Sequence, residues 1–360
     1  MSVEEKRAVF QKFDEAKAEE FAGRMVGVLN DAMLALMTSI GHQTNLFDAM
    51  AELAPSSSDE IASAASLDER YVREWLGAMT VGGIVEYDPA EKTYHLPPEH
   101  AACVIRESGP NNLAGLAQFV PLLGNVEGGI VESFRNGGGV PYSAYGRFQE
   151  LMAEDSAEVY GATLIETTLP LIPGMVERLK SGADALDVGC GAGIAVNLMA
   201  RAFPNSRFTG YDLSEEGVVS AGAEGLSNAR FEVKDARALD EPGAYDLATA
   251  FDVIHDLAHP EEVLENIHDA LRPGGTFLMV DVAASSHLHE NIEHPLGPFL
   301  YTVSTMHCMT VSLSQNGAGL GTVWGEQKAK KMLSDAGFEE VEVKQVEGDI
   351  LNNYYIATKG

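Results

Sequence analysis

The chain has 360 residues, of which 24 are basic and 54 acidic, so its formal net charge at pH 7 is −30. A surface this acidic repels phosphate backbones and anionic lipid, which argues against nucleic acids and membrane surfaces as partners. No apolar stretch reaches the roughly 18 residues of a membrane-spanning helix, and residues 1–14 lack the apolar core of a secretory signal. The length is typical of two domains, and three widely spaced cysteines fit a reducing compartment. We therefore expect a cytoplasmic protein of two domains.

Residues 4–40 are predicted to form one long helix with an apolar face. The apolar residues recur mostly every three or four positions, the spacing of a single helix face: Val9, Phe10, Phe13, Phe21, Met25, Val28, Leu29, Met33 and Leu36. Such a face requires a partner surface. Packing against its own domain and pairing with a second copy of the chain both meet that requirement.

Two helices and a hairpin are predicted next. One helix starts at Ser57, and a second starts at Ser66, where Glu69 three residues later completes a capping box. The second helix ends at Gly82-Gly83. Residues 84–87 and 93–96 then form a hairpin around a turn at 88–89. Helices followed by such a hairpin indicate a winged helix.

Winged helices often bind DNA, so a transcriptional regulator is the alternative class of protein. Residues 50–100 contain three basic and ten acidic residues, a net charge near −7. A helix that reads DNA needs Lys and Arg to hold phosphates. Here Asp68, Glu69 and Glu74 share the second helix with its two arginines, Arg70 and Arg73. The charge therefore argues against DNA binding by this segment.

Residues 101–147 are less regular and hold a glycine loop at 137–142. Helices are predicted at about 144–166 and 172–179, and regular strand–helix alternation begins at 185. Strands are then predicted at 185–188, 207–211, 229–234, 247–251 and 276–282, with helices between them, and a final hairpin at 338–346 and 354–358. This order predicts an α/β fold with a mostly parallel, doubly wound sheet and a binding crevice at the strand carboxyl ends.

The first of these strands runs into a glycine-rich turn, Asp187-Val188-Gly189-Cys190-Gly191-Ala192-Gly193, and then a helix. Glycines allow a ligand to approach the backbone, and the helix amino end can face a carboxylate or phosphate. A dinucleotide-binding enzyme would usually carry G-x-G-x-x-G, which this turn lacks. The candidate cofactor-binding residues of the turn are Asp187, Gly189, Cys190, Gly191 and Gly193.

Acidic residues follow the next two strands. Asp212 ends the second strand, about 20 residues after the glycine turn, where a carboxylate can hold two ribose hydroxyls. Asp235 follows the third strand, where its carboxylate could accept a hydrogen bond from an adenine amino group. We add their neighbours and the end of the fourth strand to the candidate cofactor site: Leu213, Ala236 and Phe251.

With these motifs in order, the chain resembles class I S-adenosylmethionine (SAM)-dependent methyltransferases. Over about residues 20–358 it is similar to small-molecule O-methyltransferases with an amino-terminal winged helix, closest to a bacterial branch of unassigned substrate. The resemblance rests also on the stretches 137–143, 307–309 and 311–313. It implies SAM as cofactor, S-adenosylhomocysteine as product, and a homodimer formed through the amino-terminal domain.

The same resemblance implies three segments. Residues 1–100 would form a mainly helical winged-helix domain for dimerisation and substrate capping, and residues 101–180 a helical linker that contributes to the active site. Residues 181–360 would form the Rossmann-like catalytic domain, with a lid inserted at about 285–324.

By resemblance, His255 is the general base, since Ile254-His255-Asp256 is similar to the family's catalytic strand end. A neutral imidazole with a pKa near 6.5 can accept a hydroxyl proton at pH 7, and Asp256 is the candidate that orients it. A structural histidine is the alternative. Leu257 replaces the Trp usual in the plant enzymes, which weakens the expectation of a plant-phenol substrate.

Candidate substrate-binding residues lie in two regions. Phe148 and Met152, with Ser156, resemble the family's helix over the substrate, and Tyr142 and Tyr145 stand beside the glycine loop. The lid contributes Tyr301, Met306 and His307. Seven of the ten histidines lie between His255 and His307, yet no third ligand with zinc-site spacing accompanies His255 and His259, so we expect no metal.

The sequence therefore predicts an enzyme that transfers a methyl group from SAM to a small-molecule acceptor. A hydroxyl oxygen, deprotonated by His255, is the first candidate. S-methylation of a small thiol or thioether, such as the methylthio acids of sulfur metabolism, is the second. A SAM-binding winged-helix regulator is the alternative of another class.

Overall fold

The computed structural model of the chain describes residues 13–360 and divides them into two compact units, one ending at Val120 and the other comprising Pro121–Gly360. The predicted helical positions Val9 and Phe10 lie outside the described residues. The segment that the sequence suggested as a linker, 101–180, falls partly in each unit.

The first unit is mainly helical. Its long first helix, Glu15–Gln43, begins at Asp14, whose carboxylate accepts a hydrogen bond from the Lys17 amide. The indole of Trp75 donates to the Met37 carbonyl at 2.8 Å and ties the end of that helix to the core of the unit. The remaining α-helices of this unit are Leu46–Ala51, Ser58–Ala65, Glu69–Val81, Pro98–Ala101 and Leu113–Leu116, and the helix Phe119–Gly124 crosses the boundary.

The capping box lies at the first of the two predicted helix starts, not at the second. Ser57 caps the helix Ser58–Ala65 together with Glu60. The prediction of a capping box at Ser66 and Glu69 is wrong, because Ser66 has the left-handed conformation and ends the preceding helix, Ser58–Ala65. Asp68, nearer to the next helix, accepts from the Arg70 and Tyr71 amides and caps it instead.

A hairpin completes the winged helix, as predicted. Strands β1 (Glu86–Asp88) and β2 (Thr93–His95) pair antiparallel. Before them, the helix Glu69–Val81 ends at Gly82, as its glycine pair predicted. Its inner face packs into a core in which the rings of Phe47 and Trp75 meet edge to face at 5.2 Å.

The second unit is built on a seven-stranded sheet in the order β5-β4-β3-β6-β7-β9-β8. The pairs from β5 to β7 are parallel, and β9 joins antiparallel to β7 and β8, so the predicted mostly parallel, Rossmann-like sheet is confirmed. The strands are β3 Asp184–Val188, β4 Arg207–Asp212, β5 Ala229–Val233, β6 Tyr245–Phe251, β7 Leu271–Val282, β8 Glu340–Lys344 and β9 Asn352–Thr358.

Helices cover both faces of this sheet because its central strands are mostly apolar and bury most of their side chains. They are Glu127–Asn136, Phe148–Thr163, Met175–Ser181, Ile194–Ala202, Glu215–Gly222, Pro260–Ala270, Gly297–Val303, Met309–Ser314 and Glu326–Asp335. From β3 the chain adds β4 and β5 on one side of the sheet and then returns to add β6 and β7 on the other side, so the strand order reverses beside β3. A crevice at the carboxyl ends of the strands forms at such a reversal.

Two predicted helices begin later than expected. The helix predicted from 144 begins at Phe148, because Tyr145 leaves the helical conformation after a 3-10 turn at Tyr142–Ala144. The helix predicted from 172 begins at Met175, since Gly174 is left-handed with φ 75°. Wider π-helical turns occur at Leu164–Thr168 and Ser304–Cys308.

Within the described residues, no single helix is both long and apolar enough to cross a bilayer. One pair of helices, Phe148–Leu171 and Met175–Ser181, passes that test of length and composition when taken together, and it is bent by 106°.

Candidate active site

The glycine turn after β3 depends on its glycines in different ways. Gly189, Gly191 and Gly193 all have positive φ, at 72°, 49° and 71°, a conformation that L side chains rarely adopt. A Cβ on Gly189 would lie 2.5 Å from Val253, whereas one on Gly191 would meet nothing nearer than 3.8 Å. The backbone at Gly191 is therefore open to an approaching group.

Asp187 lies at the end of β3, just before this turn, and is buried. Its carboxylate accepts a hydrogen bond from the Thr249 hydroxyl at 2.6 Å. Burial raises the pKa of Asp187 to about 7, with the nearby Asp212 adding to the rise and Thr249 opposing it. Asp187 therefore carries a proton well above the usual range of a carboxyl group.

Asp212, the predicted ribose-binding acid at the end of β4, accepts hydrogen bonds from two backbone amides, one of them in the glycine turn. One carboxylate oxygen accepts from the Gly191 amide at 2.8 Å, and the other accepts from the Ser214 amide at 2.7 Å. The neighbouring Leu213 side chain is exposed and Cys190 is half-buried. The two parts of the predicted cofactor site thus meet at one edge of the sheet.

Asp235 follows β5 and is already engaged by a neighbour. Its carboxylate accepts two hydrogen bonds from the Arg237 guanidinium, at 2.6 and 2.9 Å, and these hold the pKa of Asp235 below its usual value. Ala236 opens the 3-10 turn that follows. At the end of β6, the ring of Phe251 lies 4.7 Å from that of Tyr160.

His255 lies in a 3-10 turn after β6 and is buried. Its Nδ1 is 2.9 Å from Oδ1 of Asp281 on β7. That same oxygen accepts from the Trp324 indole at 2.9 Å and from the Val282 amide at 2.8 Å. Asp281, which the sequence analysis missed, therefore holds the ring in place of the predicted Asp256. The available signal in the sequence was that Asp281 is the one acidic residue in the otherwise mostly apolar strand segment 276–282.

The second ring nitrogen of His255 faces Asp256. Nε2 lies 3.4 Å from Asp256 Oδ1, a buried oxygen that makes no hydrogen bond within residues 13–360. Burial opposes a charged His255, but the carboxylates, led by Asp281, outweigh it and raise the pKa of His255 well above its ordinary value. The imidazolium form is therefore strongly stabilised here.

Cys308, more than fifty residues along the chain, joins this pair. The ligand-type atoms of His255, Asp256 and Cys308 all lie within 4.8 Å of one another. The Cys308 sulfur accepts from the Thr322 hydroxyl at 3.0 Å. The sequence offered no third partner for His255 because the π-helical turn that brings Cys308 here leaves no spacing signal.

The predicted substrate residues of the helix and the lid form an aromatic cluster. The buried ring of His307 stacks on Phe148 with a centroid distance of 3.9 Å and meets Tyr145 and Tyr142 edge-on at 4.7 and 5.7 Å. The Tyr145 hydroxyl donates to the Met306 carbonyl. Four of the predicted substrate residues are thus brought together.

Tyr142 links this aromatic cluster to Asp212 beside the glycine turn and to Asp256 beside His255. Its hydroxyl accepts from the Gln149 side chain at 2.8 Å, and Gln149 is also the group that a Cβ on Gly191 would meet. Burial, followed by Asp256 and Asp212, raises the pKa of Tyr142. The phenol is therefore within electrostatic reach of the glycine-turn acid and of the His255 neighbour.

Two lid residues line a different surface. Tyr301 and Met306 border an open groove of about 730 Å³ beside the helix Glu127–Asn136. None of the carboxylates around His255 borders that groove. Met152, one helical turn after Phe148, is half-buried.

Two family models match the chain. One, described as a methyltransferase domain, matches residues 160–343, and the other, described as an Rv2258c-like winged HTH domain, matches residues 32–106. The chain is 34% identical over 114 residues to trans-aconitate 2-methyltransferase of Deinococcus radiodurans, and 33% identical over 114 residues to a ubiquinone biosynthesis O-methyltransferase of Bordetella bronchiseptica. These matches cover 32% and 29% of this chain and 42% and 46% of those proteins, so the chain spans less than half of their length.

Solved structures resemble the chain over nearly its whole length. Human N-acetylserotonin methyltransferase in complex with SAM aligns with a TM-score of 0.69 at 19% identity, over 94% of this chain and 98% of that one. Mitomycin 7-O-methyltransferase aligns with a TM-score of 0.69 at 15% identity, over 96% and 100%. At these identities the likeness shows the fold. The family match, by contrast, covers more than half of the chain, from the helix Phe148–Thr163 to β8, and the chain belongs to the methyltransferase domain family.

Proposed function

We propose that this methyltransferase transfers the methyl group of SAM to a hydroxyl oxygen of a small molecule, with His255 as the general base. The observation that carries the proposal is the position of His255, buried at the carboxyl edge of the sheet with its ring fixed by Asp281. Two similar proteins agree with it, since the Bordetella relative is an O-methyltransferase and the human structure is a complex with SAM.

The residues of the glycine turn fit SAM. The open backbone at Gly191 suits the amino-acid end of the cofactor, and the Asp212 carboxylate beside it suits the ribose hydroxyls. The adenine would lie near Asp235, Ala236 and Leu213, with Asp187, Cys190 and Phe251 forming the walls. When bound, SAM supplies a methyl group already activated on a sulfonium.

With an activated reagent, the contribution of the chain is placement, exclusion of water and removal of one proton. An aromatic cluster would hold the acceptor near the glycine turn, because Gln149 connects its Tyr142 hydroxyl to the open backbone at Gly191. The cluster consists of Tyr142, Tyr145, Phe148 and His307. Met152 would extend that apolar wall, whereas Tyr301 and Met306 border the separate groove beside the helix Glu127–Asn136. An apolar pocket with few polar groups is the usual site for a small molecule.

Proton removal falls to the neutral form of His255, whose share grows as pH rises through the raised pKa of this ring. With its Nδ1 hydrogen directed at Asp281, the Nε2 lone pair is the one available to the acceptor hydroxyl. Asp281 and Asp256 stabilise the imidazolium that results, which strengthens the base. Asp256 therefore has an electrostatic part rather than an orienting one.

The test is the variant His255→Ala, assayed with labelled SAM against a panel of small hydroxyl and thiol acceptors. We expect methyl transfer to a hydroxyl to fall by about 10²–10⁴-fold, with the affinity for S-adenosylhomocysteine unchanged. His259→Ala, a nearby half-buried histidine, is the matched control and should retain activity. An His255→Ala enzyme of full activity would instead indicate a thiol or thioether acceptor, which needs no base.

We further propose that the chain forms a homodimer through its first unit and binds no nucleic acid. The helix Glu15–Gln43 exposes an apolar stripe at the spacing of one helix face: Phe21 59%, Met25 42%, Leu29 62% and Met33 58% exposed. The acidic charge of residues 50–100 argues against binding of DNA by this unit.

Light scattering tests the proposed dimer. It should give twice the chain mass for the wild type and a single chain mass for Leu29→Glu. A dimer unchanged by Leu29→Glu would reject this interface. Location in the cytoplasm stays a prediction.

A further inference from the structure

We propose that His255, Asp256 and Cys308 form a binding site for Zn²⁺, and that Zn²⁺ bound there blocks the catalytic base. The binding claim stands on geometry alone, whereas the inhibition rests on the proposed function. Imidazole nitrogen, carboxylate oxygen and thiolate sulfur are the three ligand types that zinc prefers in proteins. Their atoms lie within 4.8 Å of one another, close enough for small side-chain movements to bring them around one ion.

The first reason is the orientation of His255. A zinc-bound histidine almost always donates its other ring nitrogen to a carboxylate or carbonyl, which fixes the tautomer. His255 has this arrangement, since Nδ1 is directed at Asp281 and Nε2 lies 3.4 Å from Asp256 Oδ1. Asp281 is itself fixed by the Trp324 indole and the Val282 amide. The outer shell of the site is thus already built.

The second reason is an unmet electrostatic need between His255 and Asp256. In the neutral tautomer, the Nε2 lone pair and the Asp256 Oδ1 oxygen face each other at 3.4 Å, and two acceptors repel unless a cation lies between them. Asp256 Oδ1 is buried and makes no hydrogen bond within residues 13–360. A proton or a metal ion meets this need, and the nearby sulfur favours zinc over harder cations.

The third reason is the surroundings of Cys308. The Thr322 hydroxyl donates to its sulfur at 3.0 Å and partly offsets the rise in the pKa of the Cys308 thiol that burial causes. His307 Nδ1 lies 3.6 Å from that sulfur and 4.0 Å from Asp256 Oδ2, which makes it a candidate for a fourth ligand. On binding, Zn²⁺ displaces to solvent the thiol proton of Cys308 and, in molecules where His255 is an imidazolium, the Nε2 proton of that ring.

Binding would inhibit methyl transfer because the ion takes the lone pair that the acceptor proton needs. The Nε2 atom of His255 cannot hold a metal ion and receive a proton at the same time. Zinc and turnover are therefore mutually exclusive at this atom, and a chelator should restore activity. The ion acts here as an inhibitor and not as a cofactor.

The test uses the full chain, stripped of metal and titrated with Co²⁺ as a spectroscopic probe for zinc. We expect a sulfur-to-metal charge-transfer band that Zn²⁺ abolishes by displacing Co²⁺. The double variant Cys103→Ser/Cys190→Ser leaves Cys308 as the only thiol and should keep the band. Cys308→Ser should lose it and bind Zn²⁺ at least about tenfold more weakly by calorimetry, and Asp281→Asn should weaken binding about 10–100-fold.

The outcomes separate the two claims. A wild type without the sulfur-to-metal band would overturn the site, and so would loss of this band in Cys103→Ser/Cys190→Ser. Neither result requires Cys308→Ser to fold. If the band behaves as expected, Zn²⁺ should inhibit the wild type and inhibit Cys308→Ser at least about tenfold less. A wild-type enzyme that binds Zn²⁺ through Cys308 and keeps full turnover would overturn the inhibition while leaving the site intact. Absence of turnover without metal would count against the proposed function only.

Discussion

The two ends of strands β3 and β6 carry the same residue type in opposite electrostatic states. At the amino ends, Asp184 and Asp246 share the Arg272 guanidinium, at 2.8 and 2.6 Å. At the carboxyl ends, Asp187 finishes β3 and Asp252 follows β6. No Lys or Arg within residues 13–360 forms an ion pair with either of these two acids.

The pKa values follow the pairing. Arg207, and then Arg272, hold the pKa of Asp184 below its usual value. Burial raises the pKa of Asp187 to about 7 and that of Asp252 to about 8. Paired acids stabilise a fold, whereas unpaired ones are retained where a site needs their charge or proton. The amino edge thus serves stability, and the carboxyl edge carries the proposed chemistry.

The largest expected effect is at the carboxyl edge, in Asp281→Asn. An amide in place of this carboxylate can leave His255 in the wrong tautomer and removes the charge that stabilises its imidazolium. We expect kcat to fall about 10²–10³-fold, with KM and the affinity for S-adenosylhomocysteine nearly unchanged. Steady-state kinetics and calorimetry on the same sample check this. A variant that loses cofactor affinity as strongly as kcat would mean that Asp281 has only a structural part.

At the amino edge, Arg272→Met should reverse that profile. The change leaves Asp184 and Asp246 with fewer partners, although Arg207 and Arg178 remain. Because Arg272 is partly exposed, we expect the free energy of unfolding to fall by about 1–3 kcal/mol. Denaturant unfolding measures the loss, and turnover per folded molecule should not change. If Arg272→Met lowered turnover and left stability unchanged, the assignment of stability to the amino edge and chemistry to the carboxyl edge would be wrong.

A smaller effect is expected in the pH dependence of stability. In the folded chain the Asp187 carboxyl keeps its proton up to about pH 7, whereas an unfolded Asp loses it near about 3.9. The free energy of unfolding therefore declines as pH rises between these values and levels off above them. Asp187→Asn removes this contribution, so its stability relative to wild type should rise by about 4 kcal/mol from pH 4 to pH 8.

Denaturant unfolding at several pH values checks this prediction, and Asp240→Asn, at an exposed carboxylate, is the matched control. Parallel pH profiles for wild type and Asp187→Asn would mean that Asp187 ionises normally in the folded chain.

The sequence predicted the elements and the chemistry that local patterns determine. The mostly parallel sheet, the winged helix and the methyltransferase class are confirmed. Each depends on residues close in sequence or on the regular rise of parallel strands. Even the helix cap at Asp68, which we had placed at Ser66, was an error of only two residues.

Features that depend on distant parts of the chain were not predicted. Asp281 reaches His255 from the next strand, and Cys308 reaches it through a π-helical turn. Neither contact has a spacing rule, because the register of β6 on β7 and the path of the lid are set by packing of the whole unit. The functional parts of Asp256, Tyr301 and Met306 stay predictions for the same reason.

The most direct test of the account is a calorimetric titration of S-adenosylhomocysteine against three purified proteins: wild type, Asp212→Ala from the carboxyl edge and Arg272→Met from the amino edge. The account predicts binding to the wild type and to Arg272→Met, and its loss in a folded Asp212→Ala. A wild-type protein that is folded, free of bound cofactor and unable to bind S-adenosylhomocysteine would contradict it, as would an Asp212→Ala variant that binds normally.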